Sequence, residues 1–275
     1  MQKLIEFAGH AALTQKLLMR LLIFFLVVIS LVAPSVMPLA SSSVAPITVS
    51  AADRRLIQQF LKEAQGFGTL RERLNFFSQR LLGRPYLIHP LIGSPSQPEQ
   101  FVTRMDGFDC VTYLETVLAL AQSREVESYL QRLRTLRYAG GEISYAKRLH
   151  YTTDWHRVNV QRGFLQDLTA NEGSVERTKT LSLLAGFAPQ TQTFRYYPKT
   201  KLNAVTRWLQ DGDLIYFVSA RAGLDTYHVG MLFQVNHQWV MRHAARSQGQ
   251  VTEQPLVEFF QQNRMSGFML ARPVG

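Results

Sequence analysis

Two hydrophobic periods divide this chain, and the change between them limits its fold more than any single residue does. Before about residue 140 the apolar residues recur at helical spacing. "AADRRLIQQFLKEAQGFG" and "TLRERLNFFSQRLLGRP" end in Gly or Gly-x-Pro stop signals and predict two opening helices. "VTYLETVLALAQ" places Val111, Leu114, Val117, Leu118 and Ala121 on one face and predicts a central buried helix; "REVESYLQRLRTLRYAGG" predicts another, with Gly140 and Gly141 as C-cap candidates. Past Thr200, "DGDLIYFVSA", "YHVGMLFQV", "QWVMRHAA" and "GFMLARP" are short, aromatic and β-branched, and turn signals separate them. Helices first and an antiparallel sheet later make an α+β domain with the central helix packed on the sheet. The loop-rich "YLIHPLIGSPSQPEQFVTRMDGFD" predicts an extended loop or short strand, and residues 138–200, the least regular stretch, read as a substrate-shaping insertion.

The first 45 residues stand apart. Lys3, Lys16 and Arg20 precede "LLIFFLVVISLVAPSVMPLA", and small-residue sites after Ala40, Ala45 and Ala51 follow, the pattern of a cleaved export signal. An uncleaved signal anchor is the alternative, the apolar run being close to bilayer-spanning length. The chain is therefore expected to be exported, with the periplasm as its place and the membrane touched only through this segment. Residues 46–275 remain as one domain. Formal charge is +10 for the whole chain, and removal of the first 45 residues leaves about +8. That charge suits anionic envelope polymers, while neither zinc-finger cysteines nor a nucleic-acid motif is present.

Export gives weight to the cysteine count, which is one. Cys110 can form no disulfide within the chain, so it is an inert buried thiol, a bridge between chains or a nucleophile. It opens the central helix after Asp109, an N-cap residue, and a thiol in a first helical turn near the positive end of the macrodipole is expected to have a lowered pKa. Free N–H groups of that turn can also receive an oxyanion. A cysteine nucleophile needs a base and an orienting group. His228 opens "HVGMLF" and His243 closes "WVMRHAA", so a hairpin turning near "VNHQ" brings them side by side. Two unrelated sheet histidines are the plainer alternative.

"RLHYTTDWHRVN" holds Arg148, His150, Tyr151, Asp154 and Trp155, an aromatic face among hydrogen-bonding groups of the type that binds sugar; a loop bound by its own hydrogen bonds is the alternative. Glu115, one turn beyond Cys110, reads as structural. A zinc amidase would need ligands at supporting spacing, but no HExxH occurs, and His150 with His156 lacks a third. The reading is of no metal and no cofactor.

Taken in order, "LLGRPY", "FDC", "GDLIYF", "HVGMLF" and "RHAA" resemble the NlpC superfamily of papain-like cell-wall amidases. "DGFDCVTYLETVLALA", "RYAGGEISYAKRLHYTTDW" and "GLDTYHVGML" are similar to its N-acetylmuramoyl-L-alanine amidase branch, associated with 1,6-anhydro-muropeptides. The resemblance implies a papain-like core and a cysteine amidase acting on peptidoglycan fragments, most simply as a monomer. It implies Cys110 as nucleophile, His228 as general base and acid, His243 as the residue orienting the imidazole, Tyr86 as an aid in polarising the scissile carbonyl, and Asp109 as a substrate contact or a cap. The sequence reads "DCVTYLE" where the commoner endopeptidases have "DCSGL", and it carries the "RLHYTTDW" insert, a departure that weakens transfer of their γ-D-glutamyl-diaminopimelate specificity. An endopeptidase, or an acyl-transferring or lipid-modifying relative of the same fold, is the competing reading.

Overall fold

The computed structural model describes residues 49–275, so the expected export signal and the candidate cleavage sites at Ala40 and Ala45 lie outside the described residues. The two opening helices are α1 (Ala51–Glu63) and α2 (Leu70–Arg80). Helix α2 starts with a capping box in which Thr69 and Glu72 satisfy each other's backbone N–H groups. The loop-rich stretch after it carries a two-stranded antiparallel sheet, β1 (Ile92–Ser94) with β2 (Gln97–Gln100). Then come α3 (Cys110–Ala121) and α4 (Val126–Arg137). Helix α3 is buried all round from Thr112 to Ala121, more than a single apolar stripe requires. It lies between α2 and α4 on two sides and strands of the main sheet on a third.

That sheet is mixed with helix from the middle of the chain onward. Helix α5 (Thr152–Gln161) precedes β3 (Leu165–Asp167), β4 (Val175–Leu181) and β5 (Gln190–Pro198). Helix α6 (Leu202–Val205) leads to β6 (Leu214–Val218), β7 (Thr226–Val235), β8 (Gln238–Ala245) and β9 (Gln250–Pro255); α7 (Leu256–Gln262) and β10 (Gly267–Pro273) complete the chain. The strand order is β4-β5-β10-β6-β7-β8-β9, with β3 paired to β10 and every pair antiparallel. Among the described residues no helix is long and apolar enough to cross a membrane.

The stretch 138–200, weakest in sequence pattern, holds α5, β3, β4 and β5. Half of it is regular, and the β4–β5 hairpin extends the sheet instead of covering it. Its strands carry little apolar signal because both faces are largely wet; hydroxyls pair across them instead, Thr178 with Thr193 at 2.8 Å and Thr180 with Thr191 at 3.3 Å.

The period-2 alternation of β7 sorts the core into two layers. Val229, Met231 and Phe233 pack with α3, whereas Leu232 turns to the opposite face with Ile215 and Phe217, under Leu256, Phe259 and Phe260 of α7. The N-terminal end of α3 therefore meets the sheet where β7 begins.

Candidate active site

Glycine opens the approach to Cys110. A Cβ on Gly107 would lie 2.8 Å from Leu87 Cγ and from the Pro85 carbonyl oxygen, so only glycine lets residues 85–87 run beside the turn that feeds α3. There the Leu87 N–H donates to the Phe108 carbonyl at 2.8 Å and the Phe108 N–H to that of Pro85 at 3.0 Å. The Tyr86 N–H donates to the Gly249 carbonyl at 2.7 Å, which fixes this residue beside the helix mouth. Asp109 caps α3: its Oδ1 accepts from the Thr112 N–H at 2.8 Å, and Thr112 Oγ1 accepts from the Asp109 N–H at 3.0 Å.

The thiol differs from the sequence expectation. Burial among the atoms of the helix mouth, reinforced by the Asp109 carboxylate, pushes Cys110 up to about 12, although the backbone N–H groups of Val229, Cys110 and Val111 pull the other way. A first-turn dipole is worth only about 0.3–1 kcal/mol at an exposed site, too little to offset desolvation of an anion next to the carboxylate that caps the same turn. Cys110 rests as a thiol. The Tyr86 phenol is raised as well, by burial first and then by the Cys110 and Asp109 charges, with Arg246 opposing.

Strands β7 and β8 meet at Asn236 and His237, both at positive φ (48° and 61°), the conformation of a tight hairpin turn. Pairing runs from Val235 opposite Gln238 to Met231 opposite Arg242. Continued, that register sets Gly230 against His243, with His228 two residues further along the same face. A Cβ on Gly230 would come within 2.5 Å of Met241 Cγ and Sδ, so the missing side chain leaves room for Met241 beside the strand. His228 Nε2 stands 2.6 Å from His243 Nδ1, their rings nearly perpendicular. Phe259 of α7 stacks on His228 at 5.4 Å between ring centres and sets its ring edge-on to His243 at 5.6 Å. His243 is 2% exposed, and its Nε2 has no hydrogen-bond partner among the described residues. Burial and then the His243 neighbour hold His228 down at about 3; burial holds His243 at about 4, with Gln254 opposing. Both imidazoles are neutral, and their mutual bond leaves His228 Nδ1 as the open nitrogen.

Cys110 and His228 line one cleft of about 260 Å³. Tyr227 and Asp225 continue its sheet side, while His150, Tyr151 and Leu183 form the facing wall. Asp225, 1% exposed, went unnoticed in the sequence although it sits in "GLDTYHVGML". Its Oδ2 accepts from the Thr153 N–H at 2.8 Å and from the Thr153 hydroxyl at 2.9 Å, so the loop before β7 caps α5 from outside. Tyr151, the N-cap position of α5, provides no side-chain cap of its own.

The five-residue polar cluster does not converge. Trp155 is the clearest correction: it is 2% exposed, packs against Tyr216 and donates from Nε1 to Glu115 Oε1 at 3.1 Å, so it cannot stack on a sugar. Its position on the inward face of α5 takes it to the buried Glu115–Arg137 pair, closed at 2.7 Å. Arg148 is likewise spent elsewhere, on Glu99 Oε1 at 3.1 Å, and Asp154 faces a separate cavity behind α5. His150 and Tyr151 remain at the cleft; the His150 Nε2 faces the Tyr145 carbonyl at 2.7 Å, and the Tyr151 hydroxyl accepts from the Leu183 N–H at 3.2 Å. Among the described residues, no three His, Cys, Asp or Glu side chains converge in metal-binding geometry.

Residues 76–268 match the model of a family described as AmiA-like, N-acetylmuramoyl-L-alanine amidase-like. The solved structure of an N-acetylmuramoyl-L-alanine amidase from Bacteroides uniformis ATCC 8492 is 27% identical, with a TM-score of 0.68 over 76% of this chain and 100% of its own. A Legionella pneumophila protein, 21% identical, superposes with a TM-score of 0.72 over 82% of this chain and 95% of its own, a likeness of fold alone. The same holds for a putative xylanase from Bacteroides fragilis, 24% identical, with a TM-score of 0.64 over 71% and 99%. No curated protein matches the chain. Because the family model spans well over half of the sequence, the chain belongs to the AmiA-like, N-acetylmuramoyl-L-alanine amidase-like family.

Proposed function

We propose that the protein is an exported cysteine amidase that hydrolyses the bond between N-acetylmuramic acid and L-alanine in peptidoglycan fragments, on a papain-like core. The observation that carries this reading is a single cleft containing the first-turn thiol of α3 and a histidine whose second nitrogen is already held by another histidine. Family membership supports the amidase class, and the family's description favours this bond.

The pKa pattern favours a neutral resting pair. With its own proton on Nε2, directed to His243 Nδ1, His228 uses Nδ1 to take the thiol proton as sulfur attacks the muramoyl carbonyl. The oxyanion that forms is received by the N–H groups of the α3 first turn and the Tyr86 hydroxyl. His228 then returns the proton to the alanine nitrogen, the C–N bond breaks, and the stem peptide leaves as an amine. A water, deprotonated by the same nitrogen, cleaves the thioester. His243 keeps the imidazole aligned throughout. No step requires a metal or cofactor. Net charge of +10 suits an anionic envelope polymer, and the apolar segment before residue 45 suits export to the periplasm.

Mass spectrometry of the products from a defined muropeptide mixture, with and without the 1,6-anhydro end, tests the reading. Free disaccharide plus intact stem peptide is the expected outcome, absent with Cys110→Ala. A split stem peptide would replace it with an endopeptidase.

A further inference from the structure

A third cavity, about 410 Å³, lies at the far end of α3 from the thiol: Ala121 and Gln122 line it, and the 12 residues of the helix set it about 18 Å from Cys110. Four arginines line it as well, Arg73, Arg124, Arg132 and Arg162, and no Asp or Glu does. Among the described residues no carboxylate, that of Gly275 in the cavity wall included, pairs with any of the four. The guanidinium groups are not alike. Arg162 turns its own away, to the Thr135 and Tyr138 carbonyls at the end of α4. Arg73 is 2% exposed and caps α3, its Nε donating to the Ala121 carbonyl at 2.7 Å and its Nη1 to that of Ala64 at 2.9 Å. Arg132 Cζ stands 4.1 Å from the centre of the Phe164 ring, itself part of the wall, and no hydrogen bond within the described residues occupies that guanidinium. Arg124 reaches the Phe67 carbonyl only at 3.5 Å and pairs with neither Glu125 nor Glu127, which share an adjoining hollow with it.

Arg73, Arg124 and Arg132 thus gather positive charge that the protein does not balance. The end of α3 returns only about half a negative charge, and Arg73 already covers it. Burial, and then Arg124, pull Arg73 down to about 10, and burial lowers Arg132 too, so these cations are held at a desolvation cost that an anion would relieve. The two oxygens of a carboxylate lie in one plane and suit one guanidinium fork, whereas the tetrahedral oxygens of a phosphoryl group can face two arginines at once.

We propose that this cavity binds a phosphoryl group, on a lipid headgroup or a soluble phosphate ester, through Arg132 and Arg124 with the buried Arg73 behind them. Such a ligand holds the protein by one end of α3 and leaves the thiol cleft at the other end open. Neither arginine lines that cleft, so the site stands apart from the amidase reading.

Thermal melting of the full chain in sodium phosphate, against sodium chloride of equal ionic strength, tests it, with each variant compared to its own melt in chloride. Phosphate should raise the melting temperature, because it binds the folded form. The Kd fitted to that rise should weaken about tenfold in Arg132→Gln and in Arg124→Gln, the scale of one charge-assisted contact. Arg132→Lys should keep part of the rise, and Arg207→Gln, at an exposed arginine outside the cavity, should keep all of it. Cosedimentation with phosphatidylcholine vesicles, with and without phosphatidylglycerol, identifies the source. A gain that depends on phosphatidylglycerol and is lost when Arg124→Gln and Arg132→Gln are combined means a headgroup; phosphate binding without that gain means a soluble ester. If the double variant matches the unaltered protein in both phosphate and vesicles, the proposal is overturned.

Discussion

Trp155 shows how one residue can carry two opposite meanings in a sequence. In "RLHYTTDW" it sits among polar neighbours like a sugar platform, but on α5 it shares the inward face with His156 and Asn159, both also buried. That face contains hardly any aliphatic residue, so helical periodicity could not reveal it, and only the Glu115–Arg137 pair on the neighbouring helices explains why an indole N–H belongs there. Trp155→Ala should therefore act on stability, by about 3–5 kcal/mol in urea titration, through the cavity and the lost partner of Glu115. Affinity for substrate should stay unchanged in the fraction that remains folded. Cys110 was legible as the one thiol in a first turn, but its protonation was not, because the sequence displays the dipole and hides the burial. At pH 7 the free protein should react with iodoacetamide more slowly than a small free thiol; faster reaction would mean a resting thiolate and exclude the neutral pair.

At the scale of elements, what could be read were the segments with strong periods: α1 to α4, β6 to β8 and β10, with the hairpin that brings His228 to His243. The β4–β5 hairpin and α5 stayed hidden for the same reason as Trp155, since their faces are wet or polar. The contacts that make these elements a cleft wall are equally non-local. Asp225 reaches 72 residues along the chain to cap α5, which holds Tyr151 and His150 against the start of β7. Asp225→Ala should cost about 1–2 kcal/mol, the worth of a helix cap, and speed hydrogen exchange at Thr153 while leaving exchange in α3 unchanged. Gly230→Ala has a different signature. Its new methyl must displace Met241 within the layer beneath the histidines, which calls for about 1–3 kcal/mol of strain and a fall in kcat greater than any change in KM, because the imidazole pair moves and the cleft wall does not.

For the molecule as a whole, the histidines connect catalysis with stability. His228 is held at about 3, and His243 and His150 at about 4, each chiefly by burial, against an ordinary 6.5. Between those values the unfolded chain binds protons that the folded protein refuses. This contribution is fully present above about pH 6.5 and is lost as pH falls towards 4, at roughly 1.4 kcal/mol per pH unit for each proton taken up on unfolding. Glu99, Glu115 and Asp225 oppose the trend, since burial raises their carboxyls and favours the folded form as they gain protons. The raw slope therefore mixes both signs, and a variant must separate them. His243→Asn keeps a polar partner for His228 but removes one titrating imidazole, so urea titrations between pH 7 and pH 5 should show a slope shallower by up to about one proton than in the unaltered protein. Activity should follow a different course, as the asparagine still orients the base: kcat should fall while KM holds. A variant whose stability slope matched the parent would mean that His243 takes up its proton in the folded protein, and the neutral pair on which the proposed proton transfer depends would have to be abandoned.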